Sequence, residues 1–236
     1  MNMRIPLMTL LVATTLMAQV PMKYPETRRE AVVDDYFGTK VADPYRWLED
    51  DNAPDTKAWV AAQNEVTRAY LDAIPERKAI QARLTKLWNF ERFGVPFKRG
   101  ANYFYHRNDG LQNQAVLFVT ENLKDSGRIL LDPNTLSKDG TIALGSMAVS
   151  EDGKLLAYGL SVGGSDWITW KVRDVASGKD LADEIKWSKF SGASWMKDGS
   201  GFYYSAYAAP KAGDAMKGVN KNQKVYFHKI GTQQAQ

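Results

Sequence analysis

Two histidines, one serine–aspartate pair and several carboxylate clusters are the side chains of this chain that could support chemistry. His106 and His228 lie far apart in sequence, outside the HExxH spacing that places two imidazoles on one helix face for zinc. The chain has no cysteine, which excludes disulfides, thiolate metal sites and a cysteine nucleophile. The phosphate-binding pattern GxxxxGK[ST] does not occur. We therefore expect neither a metal nor a cofactor.

Ser165 and Asp166 come nearest to a nucleophile with an acidic partner. An α/β-hydrolase carries its serine on a GxSxG turn, because the strained turn needs small residues on both sides. The segment GGSDW (163–167) has Trp in place of the second Gly, and GxSxG occurs nowhere in the 236 residues. In a triad of Ser165, Asp166 and His228, the nucleophile and the acid would be adjacent residues, which is rare. We predict no catalytic residue.

The histidines and the carboxylates are better explained as structural groups. Both histidines lie beside alternating aromatic residues, which predicts half-buried, hydrogen-bonded imidazoles. The clusters Asp34-Asp35, Glu49-Asp50-Asp51 and Asp183-Glu184 are expected to be solvated. General acid–base catalysis needs a pKa shifted by burial, so we assign them no such role.

The residues between Asp43 and Trp88 have a helical pattern. Pro54 can occupy the first position of a helix. Large apolar residues then recur with helical spacing on two stripes, Trp59, Val66, Tyr70 and Ile74, and Ile80, Leu84, Leu87 and Trp88. Because such spacing places the members of a stripe on one face, the sequence predicts an α-helical hairpin whose apolar faces need a partner.

After Phe90 the hydrophobic period changes to two and turn residues become frequent, which is typical of short antiparallel strands. An internal repeat is also present. Ala148, Asp152, Gly153 and Tyr158 recur 46 residues later as Ser194, Asp198, Gly199 and Tyr204, and Gly100 and Tyr105 precede Gly153 and Tyr158 by 53 residues. Repeats of 40–50 residues with four strands each are typical of β-propeller blades. The chain has room for about three, and propellers close with about four to eight. A single sandwich with coincidental turns is the alternative.

The first 18 residues resemble a secretory signal. Arg4 is followed by an uncharged stretch of 14 residues, Ile5 to Ala18, too short for a span of about 20. We predict cleavage near Ala18 and export, to the periplasm, with no membrane association afterwards. A buried N-terminal helix is the alternative.

Charge and composition favour an ordinary globular protein. Hydrophobic residues make up 44% and charged residues 25% of the chain, and Lys and Arg number 31 against 27 acidic residues. The basic residues are scattered, whereas nucleic-acid surfaces concentrate them in a patch or stripe. We expect no nucleic-acid partner.

Four segments resemble the prolyl oligopeptidase family of serine peptidases. They are DDYFGTKVADPYRWLEDD (34–51), RNDGLQNQAVLF (107–118), SEDGKLLAYGLSVGGSDW (150–167) and KFSGASWMKDGSGFYYS (189–205). The resemblance extends from about Tyr24 to the C-terminus, with the motifs in order. The YRWLED and GLQNQ segments are more similar to prolyl oligopeptidase than to its relative oligopeptidase B.

The resemblance implies a mainly β fold, with about three of an expected seven propeller blades in residues 90–236. Residues 19–89 would form the N-terminal helical segment, which in the family belongs to an α/β-hydrolase domain. The implied activity is endopeptidase cleavage of short peptides after proline. This chain would supply the propeller gate and part of the pocket wall, and it is expected to be inactive alone.

Two residues match substrate-contacting positions of the family. Phe190, in KFS, matches an aromatic residue that lines the distal part of the pocket, and an ordinary strand-core phenylalanine is the alternative. Asp166, in GGSDW, matches an acidic residue near the substrate's approach, and a turn-capping aspartate is the alternative. Short proline-containing peptides are the implied partners.

Two other functions stay open from the sequence. An oligopeptidase B-like peptidase would prefer a basic residue before the scissile bond. A non-catalytic propeller-like binding module would act through its surface alone.

Overall fold

The computed structural model describes residues 22–211, 213–215 and 218–234. The predicted signal segment, residues 1–18, lies outside them. The chain divides into two compact units, Met1–Ala82 and Arg83–Gln236. Within the described residues, no helix is both long and apolar enough to cross a membrane.

The first unit contains a β-hairpin and helical segments. Strands β1 (Val33–Tyr36) and β2 (Thr39–Ala42) pair antiparallel around Phe37 and Gly38, both at positive φ, as two-residue hairpin turns require. A short 3₁₀ helix (Arg46–Glu49) precedes α1 (Pro54–Asp72), and α2 (Arg77–Trp88) continues into the second unit. Pro54 is the first residue of α1, as predicted, since its missing N–H is not needed there.

The second apolar stripe, on α2, is exposed, whereas three of the four residues of the first stripe are half-buried. Tyr70 is 49%, Ile80 55% and Trp88 59% accessible. Trp59 is half-buried, and its indole N–H donates to the Thr27 hydroxyl over 2.9 Å. That these faces need a partner stays a prediction.

The second unit is made of three consecutive antiparallel sheets. Sheet 1 contains β3 (Arg92–Phe93), β4 (Phe97–Arg99), β5 (Asn102–Asn108), β6 (Val116–Thr120) and β7 (Arg128–Leu131). Sheet 2 is the four-stranded meander β8 (Ile142–Val149), β9 (Leu155–Val162), β10 (Ile168–Asp174) and β11 (Asp180–Ser188). Sheet 3 contains β12 (Ser194–Trp195), β13 (Gly201–Ala206) and β14 (Lys224–Lys229). This succession confirms the predicted mainly β, partial propeller.

Two hydrophobic cores lie between successive sheets. The first joins sheets 1 and 2 around Phe104, Leu117 and Tyr158. The second joins sheets 2 and 3 around Trp170 and Phe202, which are fully buried. The period-two alternation of these strands therefore reflects burial of a sheet face against the neighbouring sheet.

The internal repeat marks equivalent places in the sheets. Gly153 and Gly199 occupy the turns before the second strands of sheets 2 and 3, both at positive φ. Tyr158 and Tyr204, in those strands, are 1% and 2% exposed and pack in the cores toward the preceding sheet. The 46-residue offset thus corresponds to one blade.

The turns of the first two sheets touch backbone to backbone. The Gly100 N–H donates to the Glu151 carbonyl over 3.0 Å. A Cβ atom on Gly100 would lie 2.0 Å from the Asp152 carbonyl oxygen, and one on Gly153 would lie 2.4 Å from the carbonyl oxygen of Arg99. Glycine is required here by the close approach as well as by its positive φ.

Candidate functional site

The segment Trp187–Phe190, at the end of β11, has the most unusual backbone of sheets 2 and 3. Trp187 has φ +62° and Phe190 φ +49°. Non-glycine residues in this region each cost roughly 1–3 kcal/mol and persist only when their surroundings fix them. The concentration of such strain at one segment is typical of functional sites.

Hydrogen bonds from sheet 3 and the following loop hold this segment. The Tyr207 N–H donates to the Trp187 carbonyl over 2.9 Å. The Ser188 hydroxyl donates to the Ser205 carbonyl over 2.6 Å, and the Gln223 side-chain amide donates to the carbonyl of Lys189 over 2.9 Å. The segment is therefore fixed on both sides of its strained residues.

Phe190 projects from this segment into solvent. It is 78% exposed and follows the end of β11. Among the described residues, Phe190 thus lies outside the two hydrophobic cores. An exposed ring on a fixed backbone is suited to packing against an apolar group of a ligand.

Asp166 lies in the turn between β9 and β10, and it is exposed. The Ser165 hydroxyl, not the aspartate, accepts the Trp167 N–H in this turn, over 3.1 Å. The carboxylate of Asp166 is therefore presented at the surface one residue before Trp167. A solvent-facing carboxylate of this kind can attract a cation such as a peptide amine.

An aromatic cluster joins the two predicted contact segments. The Trp167 indole meets Trp187 edge to face at 5.5 Å between ring centroids and Tyr207 at 6.0 Å. The Lys189 ammonium lies 4.0 Å from the centroid of the Trp167 ring. Since Trp167 follows Asp166 and Lys189 precedes Phe190, the structure brings the two predicted residues onto a common support.

An open cavity adjoins the cluster on the side of sheet 3. It has a volume of about 630 Å³ and is lined mainly by aromatic and alanine residues, Trp187, Ala206, Tyr207, Ala208, Ala209, Lys224, Tyr226 and Gln234. Mostly apolar walls with a few polar groups are usual for ligand sites.

The structure assigns His228 a partner that the sequence did not indicate. Its Nε2 lies 2.7 Å from Oδ1 of Asp183, and the same oxygen accepts the Gly231 N–H over 2.8 Å. Both side chains are 1% exposed. The expectation that Asp183 is solvated is therefore wrong, whereas its neighbour Glu184 is exposed. A strand alternates its faces, so adjacent residues of β11 face opposite ways.

This pairing joins sheets 2 and 3 and does not form a catalytic group. The imidazole of His228 is buried with Asp183, away from solvent, and is thus not available to Ser165 and Asp166. The expectation of a hydrogen-bonded imidazole is confirmed for His228, but the expected half-burial is wrong, because its side chain is only 1% exposed. His106 is half-buried, and its burial lowers its pKa. Within the described residues, no group of three or more potential ligands is placed to hold a metal.

These features define a partial β-propeller with a fixed, exposed aromatic site at the end of sheet 2. The family model of the prolyl oligopeptidase N-terminal β-propeller domain matches residues 24–236. The chain therefore belongs to the prolyl oligopeptidase family.

Individual relatives agree with this assignment. The chain is 45% identical over 215 residues to the prolyl endopeptidase of Elizabethkingia meningoseptica. The aligned residues cover 91% of this chain and 30% of the relative. A prolyl endopeptidase structure matches with a TM-score of 0.78 and 37% identity, over 89% of this chain and 31% of that one. Prolyl oligopeptidase B from Galerina marginata, bound to a 25-residue macrocyclization substrate, matches with a TM-score of 0.75 and 32% identity, over 90% and 33%. The chain thus spans about a third of the length of these relatives.

The cluster residues Trp167, Trp187, Lys189 and Tyr207 were not predicted from the sequence. Trp167 and Lys189 lie within the segments that carry the family resemblance, beside Asp166 and Phe190. Their position next to Asp166 and Phe190 was the feature of the sequence that could have indicated them. The contacts between the segments depend on the pairing of β10 with β11 in sheet 2, where Ile168 lies opposite Ser188, and this register cannot be read from either segment alone.

Proposed function

We propose that this chain is the propeller portion of a serine endopeptidase that hydrolyses short peptides on the carboxyl side of proline. In this proposal it forms part of the substrate gate and one wall of the pocket. The peptide-bond chemistry belongs to the part of the relatives' length that this chain does not span. The observation that carries the proposal is the exposed Phe190 ring on its fixed backbone, in a chain 45% identical to a prolyl endopeptidase.

Phe190 and Asp166 supply complementary contacts in this proposal. The Phe190 ring packs against an acyl or apolar group of the peptide several bonds from the scissile bond, and Asp166 attracts the amino end. Both contacts bind substrate without transferring a proton. They therefore contribute binding energy remote from the reacting atoms.

A ligand-observed NMR titration of the purified chain with benzyloxycarbonyl-Gly-Pro amide tests the proposal. An aromatic pair is worth about 0.5–1.5 kcal/mol, so Phe190→Ala should weaken binding by about 2- to 13-fold. Phe93→Ala is the matched control, because Phe93 is also exposed, at 61%, but lies in sheet 1. Absence of binding to the wild-type chain, or equal binding by the Phe190 variant, would contradict the proposal.

We also propose that residues 1–18 direct export and are then removed. The support is the sequence alone: a basic residue, a short uncharged stretch and a small residue, Ala18, at the cleavage point. The mature N-terminus of exported material tests this.

A further inference from the structure

We propose that Lys189 is a positioning residue that holds Phe190 and Asp166 in one arrangement by seating its ammonium on the Trp167 ring. The inference rests on the proposed function, because it assigns a role to the support of the same peptide site. It starts from the environment of Lys189.

Lys189 is a buried lysine with an unusual partner. The residue is only 9% exposed, whereas lysine is almost never fully buried unless paired. None of the ion pairs found among the described residues involves it. Its ammonium lies instead over the face of Trp167, 4.0 Å from the ring centroid. Cation–π attraction of a lysine ammonium is strongest over tryptophan, so this contact favours the observed position of the Lys189 ammonium over the ring.

The Trp167 ring is itself fixed from other directions. Its indole N–H donates to the Ala215 carbonyl over 2.7 Å, and Trp187 and Tyr207 meet it edge to face. A ring held in this way cannot turn to follow a mobile lysine. The contact therefore restrains Lys189, and with it the strained backbone of Phe190.

The contact also acts in the opposite direction. Trp167 belongs to the short turn that presents Asp166, and the described contacts of its ring are with residues outside that turn. Removing the lysine charge should loosen the turn as well as the segment Trp187–Phe190. If Lys189 is a positioning residue, removing its charge loosens both segments. If the lysine stem only packs against its neighbours, removing the charge loosens neither.

The test compares Lys189→Met, which retains an unbranched apolar stem without the charge, with Lys189→Arg, which retains a cation. Lys186→Met is the control, since Lys186 lies on β11, three residues before Lys189, and makes an exposed ion pair with Glu184. Hydrogen exchange is followed at the amides of Tyr207 and Trp167. These amides donate to the Trp187 carbonyl and to the Ser165 hydroxyl, so each reports on one of the two segments.

In Lys189→Met, the hydrogen-exchange rates of both reporter amides should be at least threefold higher than in the wild-type chain. The Val175 amide, which donates to the Lys154 carbonyl at the other end of sheet 2, should keep its wild-type rate. Lys189→Arg should restore the reporters to within twofold, and Lys186→Met should leave them unchanged. Unchanged reporters in Lys189→Met, or equal acceleration at Val175, would overturn the proposal.

Binding of benzyloxycarbonyl-Gly-Pro amide gives a second readout. We expect at least threefold weaker binding by Lys189→Met and recovery by Lys189→Arg. If the wild-type chain binds no peptide, the proposed function fails while the exchange experiment still decides the role of Lys189. If Lys189→Met does not fold, Trp167→Phe replaces it: the smaller ring binds the ammonium less tightly, and the same selective acceleration is expected.

Discussion

Removing the Asp183 carboxylate should cost the second unit a large fraction of its stability. Asp183→Ala deletes the acceptor shared by His228 Nε2 and the Gly231 N–H. Each buried donor left unpaired costs roughly 1–3 kcal/mol. Gly231 is exposed, so its N–H can donate to water instead. The His228 side chain is 1% exposed, so its imidazole cannot reach water. We therefore expect a loss of about 3 kcal/mol, against a net stability of about 5–15 kcal/mol for a typical domain.

Urea unfolding followed by tryptophan fluorescence measures this loss. With a slope of about 1–3 kcal/mol per molar, the midpoint should fall by roughly 1–3 M with an unchanged slope. Glu184→Ala is the matched control on the next residue, where exposed ion pairs with Lys171 and Lys186 are worth at most about 1 kcal/mol.

A double variant separates the pairing from the rest of the site. In Asp183→Ala with His228→Leu, no unpaired imidazole remains, so the loss should be smaller than the sum of the two single losses. A single-variant loss below about 0.5 kcal/mol, or strictly additive losses, would refute the reasoning that the buried pair stabilises the contact between sheets 2 and 3.

Four further outcomes are expected. Gly153→Ala should lower stability by about 1–3 kcal/mol more than Gly163→Ala, because both have positive φ but only Gly153 would clash with a neighbouring backbone; equal thermal shifts would count against this. The chain should not hydrolyse a chromogenic Gly-Pro peptide, and turnover abolished by Ser165→Ala would contradict the absence of a nucleophile. Mass spectrometry of exported material should find an N-terminus near Gln19, and an intact cytoplasmic form as the sole product would argue otherwise. The chain should bind 8-anilinonaphthalene-1-sulfonate and self-associate, because apolar residues such as Tyr203, 47% exposed in sheet 3, are not covered by another sheet among the described residues; a monomer with a sharp transition above about 55 °C would show otherwise.

The sheets were predictable because local pattern and burial agree. Tyr105 in β5 and Tyr158 in β9 each follow a turn glycine, Gly100 or Gly153, and both are buried. The hairpin of β1 and β2 was missed, since most of its residues are exposed and show no apolar alternation. The turn at Phe37 and Gly38 was the one local signal.

The candidate site was predictable only in part. Phe190 and Asp166 were found through family resemblance, and periodicity alone gives no reason to single them out. The buried pair of Asp183 and His228 joins residues 45 apart, and the Lys189–Trp167 contact joins the residue after β11 to the turn before β10. Contacts of this range follow from how the sheets pair and pack, so no local pattern predicts them.

The touching turns at Gly100 and Gly153 have a geometric consequence for the angle between blades. In a ring, every blade is rotated from the last by a fixed step, and the steps must sum to a full circle. A methyl group at either glycine would push the two turns apart at one end of the interface and increase the rotation between the two blades. The turn of sheet 3 is more tolerant, because a Cβ on Gly199 would meet only the Asp152 side chain, at 3.9 Å. A single methyl group added between sheets 1 and 2 would thus change the angle between two blades. In a ring of such blades, that change would prevent the last blade from meeting the first in the correct position.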